Sequence, residues 1–136
     1  MTEKAKHILN SILLLIVLIL TSCNNDSEIE KSKSLVGKWK WIESSGGIDG
    51  RIENPTTTGK SILIEFSDST IKTYENGLLK AEEKFQIQSQ NSIFGGQKEM
   101  IIIGSNQSRQ SYKVESNNLY LNQECFDCFQ SKYIKQ

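Results

Sequence analysis

The chain has 136 residues, with 16 basic and 16 acidic side chains, one histidine, one proline and three cysteines. A formal charge of zero, with no basic cluster, argues against a nucleic-acid partner, which would need a positive face. Alanine is almost absent after residue 22, with Ala81 alone, and this argues against a helical bundle.

The first element is apolar. Lys4 and Lys6 precede the run from Ile8 to Leu20, and Thr21 and Ser22 follow it. The run falls short of the roughly 20 residues that a spanning helix needs. Basic, apolar and small segments in that order form a secretory signal over residues 1–22. Leu20-Thr21-Ser22-Cys23 resembles the lipobox of bacterial lipoproteins. The resemblance implies cleavage before Cys23, diacylglycerol on its sulfur and acylation of the new amino-terminus, with palmitate-type chains. Three acyl chains, each methylene contributing about 0.8 kcal/mol, would hold the protein on a membrane. Cleavage would remove Lys4, Lys6 and Glu3, leaving 14 basic against 15 acidic residues and a charge of −1; His7 would leave too.

Residues 23–34 comprise that cysteine and a polar segment, NNDSEIEKSKS, without periodicity. This segment is expected to be a tether. Fully extended, it would reach about 36–40 Å. Asn24 replaces the aspartate of an inner-membrane retention cue, and Asp26, Glu28 and Glu30 follow. The acidic segment resembles an export signal to the outer face of the outer membrane, or is a soluble spacer. The expected location is the cell envelope, on the outer membrane, with the leaflet open.

From Leu35 the apolar period is two, which predicts strands. In LVGKWKWIE, Leu35, Gly37, Trp39 and Trp41 share one face, with Lys38 and Lys40 opposite. SILIEF, an Asp68-Ser69 turn and TIKTYE come next. Asn76-Gly77 predicts a type I′ hairpin, because both positions need positive φ. LLKAEEKFQIQ follows, with Leu79, Ala81, Phe85 and Ile87 expected on one face. KEMIIIG, RQSYKVE, an Asn117-Asn118 turn, LYLNQ and FQSKYIK complete eight predicted strands. Successive hairpins with one apolar face predict an all-β fold over residues 35–136: an antiparallel, eight-stranded, up-and-down barrel, closed by the strands around Trp39 and Tyr133 and without helix. The one long connection, Ser44 to Lys60, holds four glycines and Pro55. It is expected to cover one barrel end. Gly46-Gly47-x-x-Gly50 lacks the Lys-Ser/Thr of a phosphate loop.

Gly37-Lys38-Trp39 on the first strand resembles the first motif of the lipocalins. The resemblance implies a tryptophan across the closed end, a basic residue of the last strand (Lys132 or Lys135) covering it, and a long first loop overhanging the open end. LVGKWKW, SGGIDG and CFQSKYIK together resemble small lipocalin-like domains of Gram-negative lipoproteins. A covering arginine, a Thr-Asp-Tyr-like second motif and a final helix are absent from this sequence.

Without a histidine in the mature chain, serine and cysteine nucleophiles lack their usual base. The expectation is a protein that is not an enzyme and uses no cofactor. Glu83 shares the apolar face of Phe85 and Ile87, as a ligand contact, a bulge residue or the mark of a register slip. Cys125-x-x-Cys128 has no further ligands for zinc, and a turn disulfide in an oxidising compartment is expected. The leading functional expectation is a lipid-anchored lipocalin-like module for a small apolar or amphipathic ligand. The alternative is a solid barrel whose loops meet an envelope protein or glycan. In either case Gly46, Gly47, Asp49, Gly50 and Arg51 mark the expected recognition end, with Glu83 a candidate contact.

Overall fold

The computed structural model describes residues 34–136; the expected signal, Cys23 and tether residues 24–33 lie outside the described residues. The strands are β1 (Gly37–Gly46), β2 (Arg51–Glu53), β3 (Ile62–Phe66), β4 (Thr70–Glu75) and β5 (Leu78–Asn91). They continue as β6 (Gln97–Ile103), β7 (Ser108–Glu115), β8 (Asn118–Gln123) and β9 (Gln130–Lys135). Every ladder is antiparallel, and the order is β2-β1-β3-β4-β5-β6-β7-β8-β9 with β1 also pairing β9. Eight strands therefore close into an up-and-down barrel. Trp41 stands opposite Tyr133 at the closure. The ninth, β2, adds to the far half of β1 (Ser45↔Ile52).

Alternation carries the barrel. Trp39, Trp41, Ile64, Phe66, Ile71, Phe85, Ile87, Ile101, Ile103, Leu119, Leu121 and Tyr133 point inward and are at most 9% exposed. Phe66 and Phe85 meet edge to face, with centroids 5.3 Å apart. Burying a side chain of this size contributes about 1.5–3 kcal/mol, and the closed ladder leaves few edges to manage. Asn76 and Gly77 both take positive φ, as the hairpin requires. The β7–β8 turn sits one residue earlier than expected, with Ser116 at φ 53 and Asn118 already in β8.

Two irregularities re-aim side chains. Against β9, β1 slips register between Trp41 and Glu43, so Ile42 is an extra residue. Beyond that bulge Ser44, 8% exposed, faces inward beside Ser131. Between β4 and β5, Thr73 faces Ala81 but Tyr74 faces Leu79, so Lys80 is the extra residue. This corrects the expectation for Leu79: it leaves the apolar face and is 51% exposed. Glu83 keeps its register opposite Ile71 and is not the bulge residue.

The 44–60 connection is more ordered than its glycines suggest. β1 runs on through Ser44 to Gly46, β2 pairs back on it, and a short helix, α1 (Pro55–Thr58), follows. The helix corrects the expectation of none after residue 34. Ser34 and Leu35 are helical as well. Asn54 caps α1 by accepting from the Thr56 and Thr57 amides, both at 2.9 Å, and Thr57 Oγ1 accepts from the Asn54 amide. Pro55 opens it and Gly59, at φ 69, closes it. A four-residue helix has no apolar period to detect; only its caps were visible in Asn-Pro-Thr-Thr-Thr-Gly.

Candidate functional site

At one end of the barrel Trp39 is fully buried, and its Nε1 donates to the Leu35 carbonyl at 2.7 Å. The Lys135 Nζ lies 5.2 Å from its ring centroid, while Lys132 lies over Tyr120 at 6.0 Å. Gly37, at φ 129, leaves room for that lysine: a Cβ there would sit 3.3 Å from the Lys135 Cε. A cation over an indole face is attracted by the ring quadrupole. Gly37, Trp39 and Lys135 thus form one cluster on β1 and β9.

Toward the other end the interior turns polar. Trp41 Nε1 donates to Ser44 Oγ at 2.8 Å, and Ser44 Oγ lies 2.7 Å from Ser131 Oγ. Burial pushes the neighbouring Tyr133 phenol up to about 12, opposed by its hydrogen bond with Ser131. Above this chain sits the β1–β2 turn. Gly46 packs on the strand-entry segment of β9, where a Cβ would come within 2.9 Å of the Phe129 Cα. Gly47 and Gly50 close the turn through a 3.1 Å backbone bond. The Arg51 guanidinium donates to Glu53 at 2.8 Å, pairs with Asp49 at 3.6 Å and lies 5.4 Å from the Phe129 ring centroid. The two carboxylates, the Glu53 hydrogen bond first and then the charge of Asp49, raise its pKa. The Cys125–Cys128 disulfide, with Cα atoms 5.4 Å apart, ties the facing β8–β9 connection.

The outer face carries a second arrangement. Met100 and Ser111 are paired across β6 and β7 and alternate with the inward Ile101 and Tyr112, so they point outward. Yet Met100 is 0% and Ser111 2% exposed. The 92–96 connection is held over them by Glu124. Its carboxylate accepts from the Ile93 amide at 2.9 Å and from Ser92 Oγ at 3.1 Å. Phe94 meets Phe126 edge to face beside it. Burial alone would raise the Glu124 pKa. The Ile93 and Ser92 bonds, the nearby Ser111 hydroxyl and the charge of Lys98 outweigh that and hold it below its ordinary value.

Beside this latch, a half-open groove of about 940 Å³ runs over the outer face of β5, lined by Glu83, Gln86, Gln88, Gln90, Ile102 and Arg109 among others. The glutamines form a ladder: Gln90 Nε2 donates to Gln88 Oε1 at 2.7 Å and Gln88 Nε2 to Gln86 Oε1 at 3.3 Å. Each amide keeps further donors and acceptors free for a guest. The expected site residues are therefore divided. Gly46, Gly47, Asp49, Gly50 and Arg51 share the β1–β2 turn, whereas Glu83 lies on β5 against Gly104 and borders the groove.

Sequence reasoning missed Glu124 and the glutamines. The run from Phe85 to Gln97 contains no charged residue, in a chain that is 24% charged, and its Gln-x-Gln-x-Gln alternation was the available signal. Comparison with known protein families, characterised proteins and solved structures finds no match.

Proposed function

We propose that this chain is a lipid-anchored lipoprotein of the cell envelope, and that its barrel is a non-catalytic recognition module that works from its outer surface. The anchor rests on the sequence alone, on Lys4, Lys6, the apolar run and Leu20-Thr21-Ser22-Cys23. One observation carries the mode of recognition: the apolar side chains that point inward form a single continuous cluster, with Trp39, Trp41, Phe66 and Phe85 at most 6% exposed. An enclosed apolar ligand of lipocalin type would need the space those rings occupy. The polar groove over β5, in contrast, offers unspent amide groups. Its chemistry suits a polar chain, protein or glycan, on the envelope.

Two measurements test the two parts. Cys23→Ser should accumulate as an uncleaved precursor that takes up no labelled palmitate; normal cleavage and labelling would refute the anchor. N-phenyl-1-naphthylamine, an apolar fluorophore, should show no saturable enhancement with the purified protein. Stoichiometric uptake, lost on filling the interior further, would restore the enclosed-ligand reading in place of the outer surface.

A further inference from the structure

The barrel is closed, but its strands overlap only in part, and several stretches of strand edge among the described residues are unpaired; the one that stands out is on β5. β5 serves two partners in succession. β4 pairs with its first half and ends at Thr70↔Lys84, and β6 pairs with its second half, from Phe85↔Ile103 to Asn91↔Gln97. The second half therefore has one bonded edge. Gly104 N–H donates to the Lys84 carbonyl and Ser92 N–H to the Gly96 carbonyl, both at 2.9 Å, so even-numbered residues turn their backbone groups toward β6. Phe85 N–H points the other way, to the Ser69 carbonyl at 3.0 Å. By the alternation of an antiparallel ladder, Ile87, Ser89 and Asn91 direct N–H and C=O to the outer edge. Among the described residues no strand pairs there.

Exposed edges are ordinarily guarded by charge, proline, a bulge or shortness. β2 is three residues long and flanks Ile52 with Arg51 and Glu53, and the unpaired edges of 78–84, 97–99 and 112–115 all carry charged residues. The β5 edge has none of these devices: Phe85 to Asn91 is free of charge and proline, and the bulge at Lys80 falls in the paired half. Freedom from charge is what self-pairing demands, because a two-fold contact sets a strand against its own sequence and like charges would meet. We propose that this edge pairs antiparallel with the same edge of a second copy, about a two-fold axis through Ser89. That register opposes Gln88 to Gln90 of the other copy and Ile87 to Asn91. The glutamine ladders of the two copies then lie side by side on one sheet face, and their grooves adjoin. The dimer does not depend on the anchor or on any ligand.

Its test is geometric. Directly opposed, hydrogen-bonded residues have Cα atoms about 5.5 Å apart, inside the disulfide range. In the full-length protein in membranes under mild oxidant, Ser89→Cys should give a disulfide-linked dimer on non-reducing gels, several-fold more than Ser105→Cys in the exposed β6–β7 turn and more than the parent chain. In detergent the parent should sediment as a dimer, and Ser89→Lys, an exposed position, should sediment as a monomer with an unchanged β-type circular dichroism spectrum. Equal cross-linking at positions 89 and 105, or a monomeric parent at every concentration, would overturn the dimer while leaving the outer-surface recognition reading intact.

Discussion

Gly46 and Gly50 share one turn but need glycine for different reasons. Both have positive φ, at 149° and 63°, but only Gly46 is crowded by the Cys128–Phe129 backbone; Gly50 has open space around it. Gly46→Ala adds a close contact to backbone strain and should cost about 3 kcal/mol. Gly50→Ala adds the strain alone, about 1 kcal/mol. Thermal unfolding of the two variants should separate them by that margin. Glu124 makes a second prediction at this scale. Its folded pKa is depressed below 4.5, so the stabilisation it provides is present above the unfolded value and is lost as pH falls through the folded one. Acidification below the ordinary carboxylate range should lower the protection of the Ile93 amide relative to its intrinsic exchange rate at each pH, and Glu124→Gln should remove most of that dependence.

At the scale of elements, β1 and β5 shape the molecule. The Ile42 bulge lets β1 bury Trp41 and still turn Ser44 inward, and the Lys80 bulge lets β5 curl from β4 to β6. The β8–β9 connection is tied to this frame on two sides, by Gly46 against Phe129 and by Glu124 against Ser92 and Ile93. The Cys125–Cys128 bridge is thus one restraint among several. It closes a short loop, for which the chain-entropy model gives about 2 kcal/mol. Replacing both cysteines by serine should lower the unfolding free energy by that amount and leave the spectrum unchanged. Loss of the fold would mean the bridge is needed to form the connection at all.

For the molecule as a whole, stability resides in a continuous interior, and two tyrosines report on it. Burial pushes Tyr133 and Tyr112 each up to about 12; for Tyr112 the charge of Glu99 adds to it. A raised folded pKa contributes stability that is complete below the unfolded value of 10 and fades as pH rises through the folded one. Denaturant midpoints should hold up to about pH 10 and fall between 10 and 12. Absorbance at alkaline pH should show two of the four tyrosines ionising late, together with unfolding. Tyr133→Phe should reduce the slope.

Alternation determined the eight barrel strands and the closure of the strand around Trp39 on the strand around Tyr133, turn residues determined the Asn76-Gly77 hairpin, and cysteine spacing determined the Cys125–Cys128 bridge. These are local or period-two properties: a strand with one apolar face must bury it, and a row of such strands with apolar ends gains by closing. The tertiary structure alone decided where register slips, and hence that Leu79 is outside and Ser44 inside; it also decided that Glu83, in register opposite Ile71, is exposed and borders a groove. A bulge depends on the stagger of both neighbouring strands, and neither neighbour is written in the segment it bends. The same cause hid the Glu124 latch, the outward but buried Met100 and the half-paired β5. Each arises from the shear of the closed barrel, a property of all its strands together rather than of any one of them.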